Sequence, residues 1–212
     1  MTQLAADTTA LVAIDLQEGI LRIPLVPHTG ADIVARTDRL AKRFRERKSV
    51  VALTNVTWAS DFADALKQSV DRPMARLEDG LPPDFAVLSK ELEVAASDIK
   101  ITKRQWSAFH GTELDLQFRR RGIKTIVLTG VATNMGVEST ARSAWELGYE
   151  LIFVEDAITS VAAEMHAFAA NAIFPLLGRV RTTLGRTLRA DSGQICDPFE
   201  RARNRLRQVF QV

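Results

Sequence analysis

The sequence predicts an α/β protein in which a parallel sheet lies between two layers of helices, as a three-layer α-β-α sandwich. Short apolar runs alternate with amphipathic segments along the whole chain. Runs that are apolar throughout are typical of parallel strands, because such strands are buried on both faces. Alternation of strand and helix gives right-handed crossovers and a doubly wound sheet. The chain has 212 residues, 46% of them hydrophobic, so a single main domain with a sizeable core is expected.

The apolar runs predict six strands, at residues 10–14, 50–56, 98–101, 125–128 and 151–154 and, more weakly, around Val180. Apolar residues at helical spacing predict the helices between them. The predicted buried faces comprise Ile33, Thr37, Leu40 and Phe44; Leu114 and Phe118; Val137, Ala141, Ala144 and Leu147; and Val161, Phe168, Ala172 and Leu176. The proline-rich segment 69–90 is predicted to be a long connection of the kind that forms binding loops or lids.

Composition excludes several classes of function. Lys plus Arg number 28 against 26 Asp plus Glu, and this net charge of +2 favours neither nucleic-acid nor membrane binding. The single cysteine, Cys196, cannot form an internal disulfide. Residues 1–9 lack the pattern of a signal peptide, and we expect a cytoplasmic protein. The predicted domain spans residues 1–190, and the Arg-rich tail 191–212 is expected to pack on it or on a neighbouring subunit.

Polar residues follow several of the predicted strands. Asp15 follows the first strand, Lys103 the third, and residues 130–134 the fourth. Ligands of open parallel sheets bind beyond the carboxyl ends of the strands, so these residues are candidates for one small-molecule site. Asp15 as a turn cap and Lys103 as a surface charge are the alternatives. Asn134 is favoured as a helix N-cap, and Glu138 with Arg142 as an ion pair.

Several segments resemble the motifs of the isochorismatase-like (cysteine) hydrolases. Residues 10–17 (ALVAIDLQ) resemble the family's first strand and catalytic Asp, and residues 103–112 (KRQWSAFHGT) its lysine motif. Residues 129–142 (TGVATNMGVESTAR) resemble its third motif, and residues 154–157 (VEDA) also match. The resemblance implies a six-stranded, Rossmann-like parallel sheet, with Asp15 and Lys103 as catalytic residues.

The chain departs from the family pattern at Gly136, where most members carry a nucleophilic cysteine. Glycine has no side chain, so it cannot act as the nucleophile and no covalent acyl-enzyme can form at this position. Cys196 lies far downstream and is not expected to replace it. The resemblance also implies a cis peptide bond between Val131 and Ala132.

The resemblance further suggests which residues surround the site and whether the site holds a metal ion. The expected pocket residues and backbone donors are Gln17, Trp58, Trp106, Phe109, Val131, Ala132 and Thr133. Trp106 and Phe109 have core packing as an equal alternative. Nicotinamidases of the family hold a metal through an Asp and two His after strand two, whereas residues 55–61 here contain no histidine. His28, His110 and His166 are scattered along the sequence, so no metal and no cofactor are predicted.

The predicted function is hydrolysis of a small carboxylated, amide or vinyl-ether metabolite by Asp15 as general acid or base, without a cysteine nucleophile. Isochorismatases proper, which also lack the cysteine, supply the model. The alternative is a catalytically silent scaffold or small-molecule-binding protein, and a third hypothesis is an amidase that uses Cys196. The family commonly forms dimers or tetramers, so a homo-oligomer is expected.

Overall fold

A computed structural model describes residues 4–72 and 80–184 of the chain. Its sheet has six strands in the order β3-β2-β1-β4-β5-β6, and all the pairings are parallel. The strands are β1 (Thr9–Ile14), β2 (Val50–Val56), β3 (Ile99–Lys103), β4 (Thr125–Val131), β5 (Glu150–Thr159) and β6 (Arg179–Arg181). The predicted fold class and all six predicted strands are therefore confirmed.

The helices are α1 (Glu18–Leu21), α2 (Gly30–Glu46), α3 (Leu114–Arg120), α4 (Glu138–Glu146), α5 (Ala163–Phe168) and α6 (Phe174–Leu177). A π-helical turn, Thr133–Val137, leads into α4, and a second, Ala169–Ile173, joins α5 to α6. The longest of these helices, α2, begins where the side chain of Thr29 accepts a hydrogen bond from the backbone N–H of Asp32. Such a cap satisfies one of the free N–H groups at a helix start. Among the described residues, no helix has the length and apolarity needed to cross a membrane.

Strand β1 divides the core into two halves. Its residues Ala10, Val12 and Ile14 join the cluster that contains apolar side chains of α3, α4 and α6. Leu11 and Ala13 join the cluster on the other face, against α2. Alternate residues of a strand point to opposite faces, so a strand buried on both sides must be apolar throughout. Full burial of a side chain such as Leu11 stabilises the fold by about 1.5–3 kcal/mol.

The predicted buried face of the last helical segment is wrong. Phe168 and Leu176 are 59% and 62% exposed, and Val161 is exposed as well. The buried residues are instead His166, Ala169, Ala170 and Phe174. The π-helical turn breaks the regular spacing on which the prediction relied. His166 is buried because both of its ring nitrogens find polar partners.

The long connection between β2 and β3 contains no regular helix or strand in its described part, residues 57–72 and 80–98. It is anchored on the start of α1, where Glu18 N–H donates to the carbonyl of Val87 and Gly19 N–H to that of Phe85. A side chain at Gly19 would collide with the ring of Phe85, so the glycine permits this close approach. Cys196, the boundary at residue 190 and the tail 191–212 lie outside the described residues.

Candidate active site

The site centres on a buried ion pair between residues that follow two strands of the sheet. The ammonium Nζ of Lys103, at the end of β3, lies 2.6 Å from Oδ2 of Asp15, which follows β1. Both side chains are almost entirely buried. The sheet order places β1 next to β4, where the chain changes direction across the sheet. The pair therefore lies at the carboxyl-end crevice where open α/β sheets bind ligands.

Asp15 is also held by β2, the strand that lies between β1 and β3. The hydroxyl of Thr54 in β2 donates to Oδ1 of Asp15 at 2.8 Å, and the backbone N–H of Asp15 donates to the carbonyl of Thr54 at 3.2 Å. Asp15 has a φ of +51°, a left-handed conformation that is uncommon outside glycine. Such conformations cluster at functional sites, because the surrounding structure must compensate for their cost.

Opposing influences act on the proton of Asp15. Burial raises the pKa of the Asp15 carboxyl above its ordinary value, against the lowering influence of the Lys103 ammonium and the Thr54 hydroxyl. A carboxyl with a raised pKa keeps its proton to higher pH and can act as a general acid.

Gly136 lies directly beside this carboxyl. A Cβ built on Gly136 would stand 3.4 Å from Oδ2 of Asp15, 3.0 Å from Cγ2 of Ile14 and 3.2 Å from the carbonyl oxygen of Val131. The position expected from the family motif to bear the nucleophile therefore faces the Asp15–Lys103 pair. The peptide bond between Val131 and Ala132, which leads into this turn, is cis, as expected.

The other residues of the turn after β4 are mostly committed to contacts within the protein. Val131 and Thr133 are buried, and the Oγ1 of Thr133 lies 2.8 Å from Nδ1 of His166. Asn134 lies within the π-helical turn and does not cap the helix, contrary to prediction. Its Oδ1 instead accepts a hydrogen bond from the hydroxyl of Ser160. Ala132 is partly exposed.

Gln17 holds backbone groups. Its Nε2 donates to the carbonyls of Val56 (3.0 Å) and Phe85 (2.8 Å), and its Oε1 accepts from the N–H of Val56 at 2.7 Å. The side chain is fully buried. Gln17 therefore joins the end of β2 to the long connection, rather than offering its amide to a ligand.

The predicted aromatic wall residues have different surroundings. Phe109 packs in the core, with ring centroids 6.3 Å from Phe118 and 5.7 Å from Tyr149, in keeping with the core alternative of the two that the sequence left open. Trp106 is 49% exposed. Trp58 donates from Nε1 to the carbonyl of Arg104 at 2.8 Å.

Trp58 also lines a cavity of about 480 Å³ beneath the long connection. The described lining residues are Thr57, Trp58, Ser60, Gly80, Leu81, Pro82, Pro83, Phe85 and Ala86. One lining residue, Thr57, donates its N–H to the backbone carbonyl of Lys103 at 3.2 Å. Its described lining does not include Asp15 or Lys103 themselves.

The fold also assembles a second polar cluster, which the sequence did not predict. His28 and His166, far apart in the chain, have ring centroids 6.0 Å apart, and Glu155 lies between them. These two histidines are therefore not scattered in space, contrary to the expectation from the sequence, because the fold brings them together. The hydrogen bond from His166 holds the pKa of the Glu155 carboxyl below its usual value, against the effect of burial. No sequence spacing signals this cluster, since its three residues come from separate elements.

Comparison with known proteins agrees with this architecture. The model of the isochorismatase domain matches residues 9–184. The chain belongs to the isochorismatase family. It is 51% identical over 182 residues to the isochorismatase family protein YecD of Escherichia coli O157:H7, covering 86% of this chain and 96% of YecD. It is 46% identical over 175 residues to YwoC of Bacillus subtilis, covering 82% of this chain and 90% of YwoC.

Solved structures of the family have the same fold. An isochorismatase family protein from Burkholderia thailandensis superimposes with a TM-score of 0.81 at 47% identity, covering 84% of this chain and 93% of that one. The protein is thus an isochorismatase-family hydrolase with a six-stranded parallel sheet.

Proposed function

We propose that this family member hydrolyses a small carboxylated vinyl ether without forming a covalent intermediate. The observation that carries the proposal is the buried Asp15–Lys103 pair, which faces the side-chain-free position Gly136. A carboxyl and an ammonium are present, whereas Gly136 supplies no nucleophilic atom. Chemistry that begins with protonation, rather than with attack by a side chain, suits these groups.

The proposed reaction starts with the protonated carboxyl of Asp15. It transfers its proton to the terminal carbon of the enol ether, which leaves an oxocarbenium ion at the ether carbon. A water molecule adds to that carbon and returns a proton to the Asp15 carboxylate. The resulting hemiketal collapses to a keto acid and an alcohol, so that all atoms balance and the acid is regenerated.

Lys103 has two roles in this proposal. Its ammonium binds the substrate carboxylate, and it stabilises the carboxylate of Asp15 that forms when the proton is transferred. The absence of a Cβ at Gly136 leaves room beside Oδ2 of Asp15, where the reacting carbon must come within proton-transfer distance.

The test measures release of keto acid from a panel of enol-ether carboxylates, and release of ammonia from a matched panel of small amides. Asp15→Asn is expected to abolish keto acid release while the protein stays folded by circular dichroism. Asp98→Asn is the matched control, because Asp98 is also a buried, ion-paired aspartate but binds Arg45 instead. Turnover that survives Asp15→Asn would contradict the proposed acid.

Other outcomes of the same panel favour the remaining hypotheses. Ammonia release without keto acid release would replace the vinyl ether by an amide, and its loss in Cys196→Ser would identify a thiol-dependent amidase. Tight binding of a panel member without turnover, unchanged in Asp15→Asn, would support a binding or scaffold protein.

We also infer that the protein assembles as a dimer or tetramer. Met165, Phe168 and Leu176 on the α5–α6 segment are 42%, 59% and 62% exposed. Neighbouring exposed apolar side chains of this size are typical of contact surfaces. Light scattering is expected to give an oligomer for the wild type and smaller species for Phe168→Glu. A wild-type monomer at micromolar concentration would contradict the inference.

A further inference from the structure

Three potential metal ligands meet at the side of the turn after β4. His28 lies just before α2, Glu155 lies in β5 and His166 lies in α5. Oε1 of Glu155 is 3.0 Å from Nε2 of His166 and 3.6 Å from Nε2 of His28. One ligand atom from each residue lies within 4.8 Å of the other two. The cluster thus joins three elements that are distant in sequence.

One nitrogen of this cluster makes no hydrogen bond to the described part of the protein. Nε2 of His28 is buried and has no hydrogen-bond partner among the described residues. Its distance of 3.6 Å to Glu155 is too long for a hydrogen bond. Leaving a buried polar nitrogen unpaired is costly, and such atoms are rare in folded proteins.

The spacing and the chemistry of the donors suit a transition metal ion. Bonds of 2.0–2.1 Å at tetrahedral angles would separate two ligand atoms by about 3.3 Å. The two measured distances to Glu155, 3.0 and 3.6 Å, lie on either side of that value. Two imidazoles and one carboxylate form a common zinc ligand set, which leaves a fourth position open to water.

Neighbouring groups orient both imidazoles. Nδ1 of His166 lies 2.8 Å from the Oγ1 of Thr133. Without metal, Nε2 of His166 donates to Glu155. In the metal-bound state the imidazole proton would lie on Nδ1 and be donated to Thr133, so that Nε2 would present its lone pair to the ion. The main chain of His28 is fixed by Thr159, whose hydroxyl donates to the His28 carbonyl at 2.7 Å and accepts from its N–H at 3.3 Å. Such supporting hydrogen bonds are typical of metal-ligating histidines.

We propose that His28, Glu155 and His166 form a binding site for a divalent transition metal ion such as Zn²⁺, separate from the Asp15–Lys103 pair. The ion ties the start of α2 to β5 and α5. Through His166 and Thr133 it also stabilises the turn that carries Gly136. The site does not depend on the proposed hydrolysis, because none of its ligands belongs to the ion pair.

Calorimetric titration of the full chain with Zn²⁺, after removal of metals with a chelator, tests the site. A Cys196→Ser background excludes binding to the thiol. We expect one equivalent of Zn²⁺ to bind, and binding to weaken by at least about tenfold in His28→Ala and in Glu155→Gln. His110→Ala is the matched control, because His110 is exposed and lies outside the cluster. It should bind Zn²⁺ as the parent does.

Thermal unfolding gives a readout that does not need activity. Zn²⁺ should raise the Tm of the parent and of His110→Ala, and should leave that of Glu155→Gln unchanged. Co²⁺ bound at the same site should show visible absorption bands that His28→Ala loses. Failure of Zn²⁺ and Co²⁺ to bind at millimolar concentration would overturn the proposal. Binding that is equally strong in His28→Ala and Glu155→Gln would overturn it as well.

Discussion

Gly136 and Asp15 lie so close that a Cβ on the glycine would be in van der Waals contact with Oδ2 of the carboxylate, at 3.4 Å. The two residues come from opposite sides of the β1–β4 pair, Asp15 after β1 and Gly136 in the turn after β4. The space beside the Asp15 carboxyl therefore depends on the size of the side chain at position 136. In the proposed reaction the carbon that is protonated approaches Oδ2 of Asp15 past this side-chain-free position.

Gly136→Ala should fold but lose most of its turnover, by at least about tenfold. The added methyl meets Ile14 at 3.0 Å and Val131 at 3.2 Å, and this crowding should destabilise the protein by about 1–3 kcal/mol. Turnover and urea unfolding measure the two effects separately. Gly30→Ala is the control, because its Cβ meets Leu21 at 3.1 Å, away from the ion pair. Full activity in Gly136→Ala would mean that the substrate does not approach from this side.

Activity should fall as the pH rises through the pKa of Asp15. Burial raises that pKa above the ordinary value, so the proton is retained below it and lost above it. The Thr54 hydroxyl donates to the carboxylate and thereby lowers the pKa. Thr54→Val removes this donor, raises the pKa further and should move the descending limb of kcat/KM to higher pH.

Thr37→Val is the control for this pH profile. Thr37 is a buried threonine in α2 whose hydroxyl bonds to no residue in the part of the chain that the structure describes, so its replacement leaves Asp15 untouched. Its pH profile should match that of the wild type. A limb that stays in place in Thr54→Val would show that a different group titrates.

Gln17→Leu should destabilise the protein by about 3 kcal/mol, because it leaves buried backbone groups of Val56 and Phe85 without partners. Urea unfolding measures the loss. Gln117→Leu, on the partly exposed surface of α3, should change the free energy of unfolding by no more than about 0.5 kcal/mol. Equal stabilities of the two variants would show that the long connection does not depend on Gln17.

The sequence predicted the sheet well, because strands buried on both faces must be apolar. The predicted fifth strand, residues 151–154, is shorter than β5, which continues through two acidic residues to Thr159. Glu155 and Asp156 are tolerated there because His166 and Thr183 provide hydrogen bonds to them. Such partners come from tertiary structure and leave no local pattern.

The positions of Asp15 and Lys103 could also be predicted from the apolar strands. Asp15 and Lys103 follow strands whose positions the apolar runs reveal, and parallel strands bring their carboxyl ends together. Phe109 was left between core and pocket wall, because an aromatic residue near a site has no sequence feature that separates the two. The His28–His166 cluster was missed because nothing short of the fold brings its members together.

Lys103→Met separates substrate binding from proton transfer. Loss of the ammonium removes a charged hydrogen bond to the substrate carboxylate, worth about 1.5–3 kcal/mol, and KM should rise about 10- to 150-fold. It also removes the charge that lowers the pKa of Asp15, so the descending pH limb should move upward, as in Thr54→Val. Lys100→Met, an exposed position on the same strand, should change neither quantity. A Lys103→Met enzyme with wild-type KM and a reduced kcat would assign the ammonium to the reacting centre alone, with the substrate carboxylate bound elsewhere.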